Sequence, residues 1–262
     1  MEFIIENCSS TGAHFSKNTN QVLLKINTWI KENNNPTLKF IEFRKKLEKE
    51  KGINDNNARN IYPLLKNCGF AEYKSGGELY SGEFFTNNGK AYIKALETKE
   101  LIKQSDYSQK QKLEAIKEID LILNNLILEA VKKLLNNNEL NYTESMKWFL
   151  RYLLSFDKIN KKEFAYMVYQ MTTDDSNWYN EIKDNIDLYR KNELDLSVKV
   201  RVRNDKKIKE NTGCDTRLED ISYFTAYSFY TGLISQAGII KKDKDYYYLK
   251  DEKRRLVESI IK

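Results

Sequence analysis

Apolar residues recur at helical spacing along most of this chain, and the rhythm changes to strand-like alternation in two places. Between Asn54 and Thr98 the pattern predicts a helix, a strand-turn-strand and a closing helix in direct succession. Asn54 is placed to cap the first helix, whose apolar face carries Ala58, Ile61, Tyr62 and Leu65. Asn56, Arg59 and Asn60 fall on the opposite face, with Asn57 beside them. The helix is expected to turn at Pro63 and to stop at Lys66-Asn67-Cys68-Gly69. Phe70-Ala71-Glu72-Tyr73 and Leu79-Tyr80 then read as paired strands around a Lys74-Ser75-Gly76-Gly77 tip, before a helix from Asn87 to Thr98.

The second half repeats this order. A wide apolar stripe of Leu113, Ile116, Ile119, Leu123, Leu126, Ile127, Ala130 and Leu134 predicts one long helix from Lys110 to Leu135, broken by Asn136-Asn137-Asn138. Helices follow over Thr143 to Phe156, Phe164 to Met171 and Asp174 to Lys191, the last with Trp178, Ile182, Ile186 and Tyr189 as its inner stripe. The basic segment Lys199 to Lys207 reads either as a solvated loop or as a phosphate contact. A helix from Asp215 to Gly232 is expected next, with Arg217 and Tyr223 towards its outer side. Strands at Ala237 to Lys241 and Tyr246 to Leu249, joined by a turn at Asp243-Lys244-Asp245, precede a final helix. Helix, hairpin wing and helix is the layout of a winged helix-turn-helix, which commonly binds DNA; the competing reading is a unit that packs only against protein. The expected fold is therefore mainly α (α+β): two winged-helix-like DNA-binding domains with small β-wings, over 1–104 and 141–262, joined by a connecting helix over 105–140.

Composition sharpens this only in part. The formal charge is +6, from 44 Lys and Arg against 38 Asp and Glu, which permits a polyanionic partner without requiring one. Seventeen Tyr and twelve Phe against two Pro and ten Gly describe a chain that collapses around cores. Three scattered cysteines and a single histidine suggest neither a disulfide framework nor a zinc site, and point to a reducing cytoplasm. No apolar run approaches the roughly 18 residues of a membrane span. A soluble, membrane-free cytoplasmic protein is the expectation.

No residue pattern assembles an active centre. A Gly-rich phosphate loop is missing, and a nucleophile triad could form only around His14. Metal-dependent phosphodiester cleavage needs carboxylates at strand ends with a lysine nearby. Glu42-Phe43-Arg44-Lys45-Lys46 lies in a helical pattern, and Glu193 and Asp195 read as a helix end and loop. No catalytic residue, metal ligand or cofactor is therefore assigned. The residues expected to contact double-stranded DNA are Asn56, Asn57, Arg59, Asn60, Lys66 and Lys74 in the first domain. In the second they are Arg201, Arg203, Lys206, Lys207, Arg217 and Tyr223. Arginine and asparagine can bond guanine and adenine edges through two atoms at once, while lysines neutralise phosphates.

The order of elements resembles the N-terminal recognition region of type IIS restriction and nicking endonucleases of the AlwI, MlyI and BstNBI group. The matching pieces are Asn7-Cys8-Ser9-Ser10-Thr11 before a helix with Trp29, then Arg59 ahead of Pro63, and Lys66-Asn67-Cys68-Gly69-Phe70. The helix pair around Lys161 to Arg190, Tyr230-Thr231-Gly232-Leu233-Ile234 and the stretch Leu249 to Ile261 complete the resemblance. It implies two winged-helix-like domains that embrace a duplex as a monomer on an asymmetric site. It also implies a separate downstream domain of the PD-(D/E)XK type, to which Mg²⁺ would belong. That family tends to carry more arginine than the lone Arg59 around the first recognition helix, so the target bases are open. A plasmid replication initiator or a transcription regulator with paired winged helices is the alternative.

Overall fold

The computed structural model describes residues 2–6, 13–140, 142–171, 178–201, 215–217 and 225–261. Among the described residues the fold is mainly helical, with three small sheets. In chain order the first elements are β1 (Glu2–Glu6), α1 (Lys17–Glu32), β2 (Thr37–Lys39), α2 (Phe40–Lys51) and α3 (Asp55–Asn67). They continue with β3 (Glu78–Tyr80), α4 (Asn87–Gln104), α5 (Gln109–Leu135), α6 (Thr143–Phe156) and β4 (Lys158–Ile159). Then come α7 (Lys161–Met171), α8 (Trp178–Arg190), β5 (Ser197–Arg201) and β6 (Asp215–Arg217). The last are α9 (Thr225–Gln236), β7 (Ile240–Asp243), β8 (Tyr246–Leu249) and α10 (Arg254–Ile260).

These elements form two compact units. The described residues within Thr11–Asn136 and Gly232–Gly238 make the first, and those within Met1–Ser10, Asn137–Thr231 and Ile239–Lys262 make the second. In the first unit Ser16 caps α1 by accepting a hydrogen bond from the Thr19 amide. Leu23, Ile26 and Trp29 recur on its inner face and are fully buried. They meet Phe43 and Leu47 of α2, with the Trp29 and Phe43 rings edge-on at 5.4 Å. The helix α5 lies within this unit, along α4, and a full capping box between Ser108 and Gln111 fixes its start. Its expected apolar stripe is only half used: Leu123, Ile127, Ala130 and Leu134 are buried, whereas Leu113 is 67% exposed.

The hairpin after α3 pairs differently from the expectation. Leu79 lies opposite Leu38 of β2, a strand the sequence reading did not assign. The stretch from Phe70 instead meets the residues just after β3, through the Ala71–Phe85 bridge, Glu72 N–H to Phe84 O and Thr86 N–H to Phe70 O. A 3-10 turn at Ser81–Glu83 separates the two pairings. One continuous stretch thus bonds β2 with its first part and Phe70–Glu72 with its second.

In the second unit the sheet order is β4-β8-β7, so β4, which follows the first helix, pairs with the second strand of the terminal hairpin. In the first unit β2, which follows α1, likewise pairs with β3, in a two-stranded sheet. A separate sheet, β1-β5-β6, pairs Glu2–Glu6 in parallel with Ser197–Arg201. Two expectations are corrected here: part of the basic segment is a strand, and Asp215–Arg217, expected to open a helix, is β6, the described helix α9 spanning Thr225–Gln236. Alternating positions such as Val198 and Val200 suit a pleated strand, and a strand partner far away in sequence outweighs the local helical spacing. Ile182 and Ile186 of α8 are fully buried as expected, Tyr189 is partly exposed, and the Trp178 side chain lies outside the described residues.

A buried polar cluster ties α7 to α8. Asn160 caps α7 by accepting from the Glu163 amide, and Glu163 reaches back to the Asn160 amide. The fully buried Glu163 carboxylate also takes bonds from Tyr152 and from two nitrogens of Arg190. Arg190 completes itself on the carbonyls of Phe156 and Lys158. Burial alone would lower the Arg190 guanidinium, but the bond to Glu163 and its charge more than offset this and raise it. No helix among the described residues is long and apolar enough to cross a membrane.

Candidate nucleic-acid interface

The helix α3 starts where the sequence places it, with the Ala58 amide bonding the Asn54 carbonyl at 2.9 Å. It does not turn at Pro63, which sits inside the helix. Proline has no N–H, so Pro63 donates no hydrogen bond to the Arg59 carbonyl one turn earlier. The stop is as expected. Gly69 adopts φ +72°, and Phe70 N–H returns to Leu65 O at 2.7 Å in a left-handed cap. Ala58, Ile61, Tyr62, Leu64 and Leu65 are buried, which turns Arg59 and Asn60 outwards.

The charge around Arg59 is organised by a pair the sequence reading did not single out. Arg44 of α2 forks onto Asp55 in the first turn of α3, through Nε at 2.7 Å and through Nη2 to the other oxygen. Arg59 approaches the same carboxylate at 3.6 Å, one turn away. The Arg44 hydrogen bond, followed by its charge and that of Arg59, holds the Asp55 carboxyl below its usual range. Arg44 is mostly covered, whereas the Arg59 side chain is 67% exposed. An exposed pair of this length contributes about 0–1 kcal/mol, so Arg59 can exchange Asp55 for an external acceptor at little cost. No sequence signal links Arg44 to Asp55, because the pairing crosses a helix–turn–helix.

The next residues build a basic, aromatic rim. Tyr73 stacks on Phe40 with centroids 4.2 Å apart, the Arg44 guanidinium lies 5.8 Å from the Phe40 ring, and Lys66 Nζ lies 5.3 Å from the Tyr73 ring. Lys74 is exposed at the tip, its carbonyl closing the turn on Gly77 N–H. Arg59, Asn60, Lys66 and Lys74 therefore belong to α3 and the loop that follows it. Asn56 and Asn57 lie in the first turns of α3, with side chains outside the described residues. In the other unit Arg201 stands opposite Asp215, and Arg217 opposite Lys199, on adjacent strands. Arg217 is thus at a strand position instead of the helix face expected of it. Arg203, Lys206, Lys207 and Tyr223 lie outside the described residues. In the described helix α9, Ala226, Phe229, Tyr230, Thr231, Leu233 and Ile234 are buried, while Tyr227, Ser228, Gly232, Ser235 and Gln236 are partly exposed, so its partly exposed side carries no Arg, Lys or Asn to compare with α3.

Other candidate chemistry does not converge. A cleft of about 700 Å³ in the first unit is edged by Lys17, Lys99 and Lys103, but Lys99 is paired with Asp120 and Lys103 with Glu100. Glu193 and Asp195 lie between α8 and β5, Asp195 meeting Lys162 at 3.3 Å. Among the described residues no three His, Cys, Asp or Glu side chains are placed to hold a metal ion. Cys68 is fully buried, and burial pushes its thiol up, away from the reactive thiolate. Compared with models of known protein families, with characterised proteins and with solved structures, the chain matches none.

Proposed function

We propose that this chain is a sequence-specific double-stranded DNA-binding module made of two winged-helix-like units. The observation that carries the reading is the outward face of α3, where Arg59 and Asn60 stand beside the Lys66–Tyr73–Lys74 rim. A helix of this width fits the major groove, an exposed arginine can bond both guanine acceptors, and a lysine-bearing hairpin beside it can reach phosphates. A shared strand pairing supports the same reading, because in each unit the short strand after the first helix pairs antiparallel with a later strand, β2 with β3 and β4 with β8. In this reading the chain is the recognition portion of a type IIS restriction or nicking endonuclease. It acts as a monomer in the cytoplasm, and cleavage with its Mg²⁺ resides in a separate nuclease domain.

The pairing shared by both units, of the short strand after the first helix with a later strand, equally suits a plasmid replication initiator or a regulator built from paired winged helices. Binding-site selection on random duplexes separates the two. A single asymmetric motif of several base pairs is expected. Repeated or palindromic motifs would transfer the chain to the rival class, and failure to enrich any motif would remove sequence-specific duplex recognition altogether.

A further inference from the structure

The second unit carries a basic, aromatic sheet face that duplex reading by α3 leaves unused. In β8, Tyr246 and Tyr248 point to one side and Tyr247 to the other. Lys158 of β4 and Lys241 of β7 stand opposite Tyr248 on its two flanks, so all three share that side. Lys158 Nζ lies 4.5 Å from the Tyr246 centroid and 5.9 Å from that of Tyr248, and the two rings are 6.2 Å apart. The reverse side is the packed one, carrying the buried Ile159, Ile240 and Leu249. Both tyrosines are partly exposed and Lys241 is exposed. Lys250 continues the same alternation, and Asp243 is the acid that shares the face.

Beside Tyr246, Asn160 is locked by the cap of α7 and donates to the Tyr189 hydroxyl, while burial, then the charge of Glu163, push the Tyr246 hydroxyl up and keep it neutral. A neutral pair of rings bordered by three lysines and, on the strand face itself, the Asp243 carboxylate complements a chain that alternates flat bases with phosphates. Paired bases already stack on one another and present only their edges, so such rings have nothing to grip on an intact duplex. We propose that this face binds unpaired bases of DNA, Tyr246 and Tyr248 stacking on the bases and Lys158, Lys241 and Lys250 taking the phosphates. On binding, the Lys158 ammonium leaves the rings for a phosphate oxygen. The choice of DNA rests on the duplex-recognition reading, and the surface adds a grip on a strand that has left the duplex.

The test measures binding of the full chain to a fluorescein-labelled oligodeoxythymidylate, to an abasic strand of equal length, to oligouridylate and to a random duplex. Binding to the abasic strand should be weaker by about tenfold or more, since base stacking on each aromatic residue contributes on that scale. Joint Tyr246→Leu and Tyr248→Leu substitution should weaken oligodeoxythymidylate binding by a similar factor and leave the duplex unaffected, and the Tyr→Phe pair should retain it. Equal affinity for the abasic strand, equal losses with Phe and Leu, or tighter binding of oligouridylate would each overturn the proposal. Photo-crosslinking of a 5-iodouracil strand to the unsubstituted chain avoids dependence on the variants' folding: adducts on Tyr246 or Tyr248 support the surface, and adducts confined elsewhere exclude it. Loss of motif selection with strand binding retained would remove the duplex reading alone, and the reverse result would remove this one alone.

Discussion

At Gly89 a side chain has nowhere to go. A Cβ built there would stand 2.0 Å from the Phe70 carbonyl oxygen, because the first turn of α4, capped by Thr86, closes directly onto the hairpin's start. Backbone cannot yield as a flexible side chain would, so Gly89→Ala should destabilise the chain by about 1–3 kcal/mol or more, despite alanine's better helix propensity. Unchanged denaturant midpoints would mean that α4 does not approach Phe70 this closely. Arg59 and Arg44 should separate by assay. Arg59→Ala should cost roughly 1–3 kcal/mol on a selected cognate duplex and little in stability, whereas equal losses on cognate and random duplexes would make it a phosphate contact. Arg44→Met should lower stability instead, because it strips Asp55 of its two-point partner.

Among elements, α7 and α8 are joined by a polar cluster that is easy to break. Glu163→Gln leaves Arg190 mostly buried without its counter-charge and is expected to cost about 3–5 kcal/mol, measured by chemical unfolding; a loss near zero would show that water or another acid takes over. Helices were the legible part of this chain. The limits of α6 and the left-handed stop of α3 follow from periodicity and capping, which are local. Strands were legible only where a hairpin brought their partners close, as at Tyr246–Leu249. β1, β2 and β5 pair with residues far along the chain, and β2 is only three residues long, too short to show an alternating pattern. The candidate site divided likewise: Arg59 and Asn60 lie on a helix face that spacing reveals, while the Arg44–Asp55 fork and the Lys158–Tyr246 contact depend on how separate elements meet.

For the molecule as a whole, acid sensitivity should start well above the carboxylate range. Burial holds His14 below its ordinary value of 6.5, so the fold favours the neutral ring. Its contribution is complete above 6.5 and is lost as pH falls through that value towards the lower folded one. Asp55 behaves likewise further down, its contribution present above 3.8 and lost below. Thermal midpoints should therefore begin to fall as pH drops below 6.5, and His14→Gln should flatten that first decline; an identical profile in the variant would assign the slope to other groups. The partition of the chain carries a further consequence for how it is made. Phe15 N–H bonds Gln236, and Glu2 pairs with Ser197. As the polypeptide leaves the ribosome, the earliest residues of each unit must wait for some of the latest before their surfaces are covered. The nascent chain therefore exposes apolar helix faces and an unpaired strand until those later residues have emerged. Escape from aggregation during that interval, more than the final stability, should set the yield of soluble protein, and slowing translation without a chaperone should lower it.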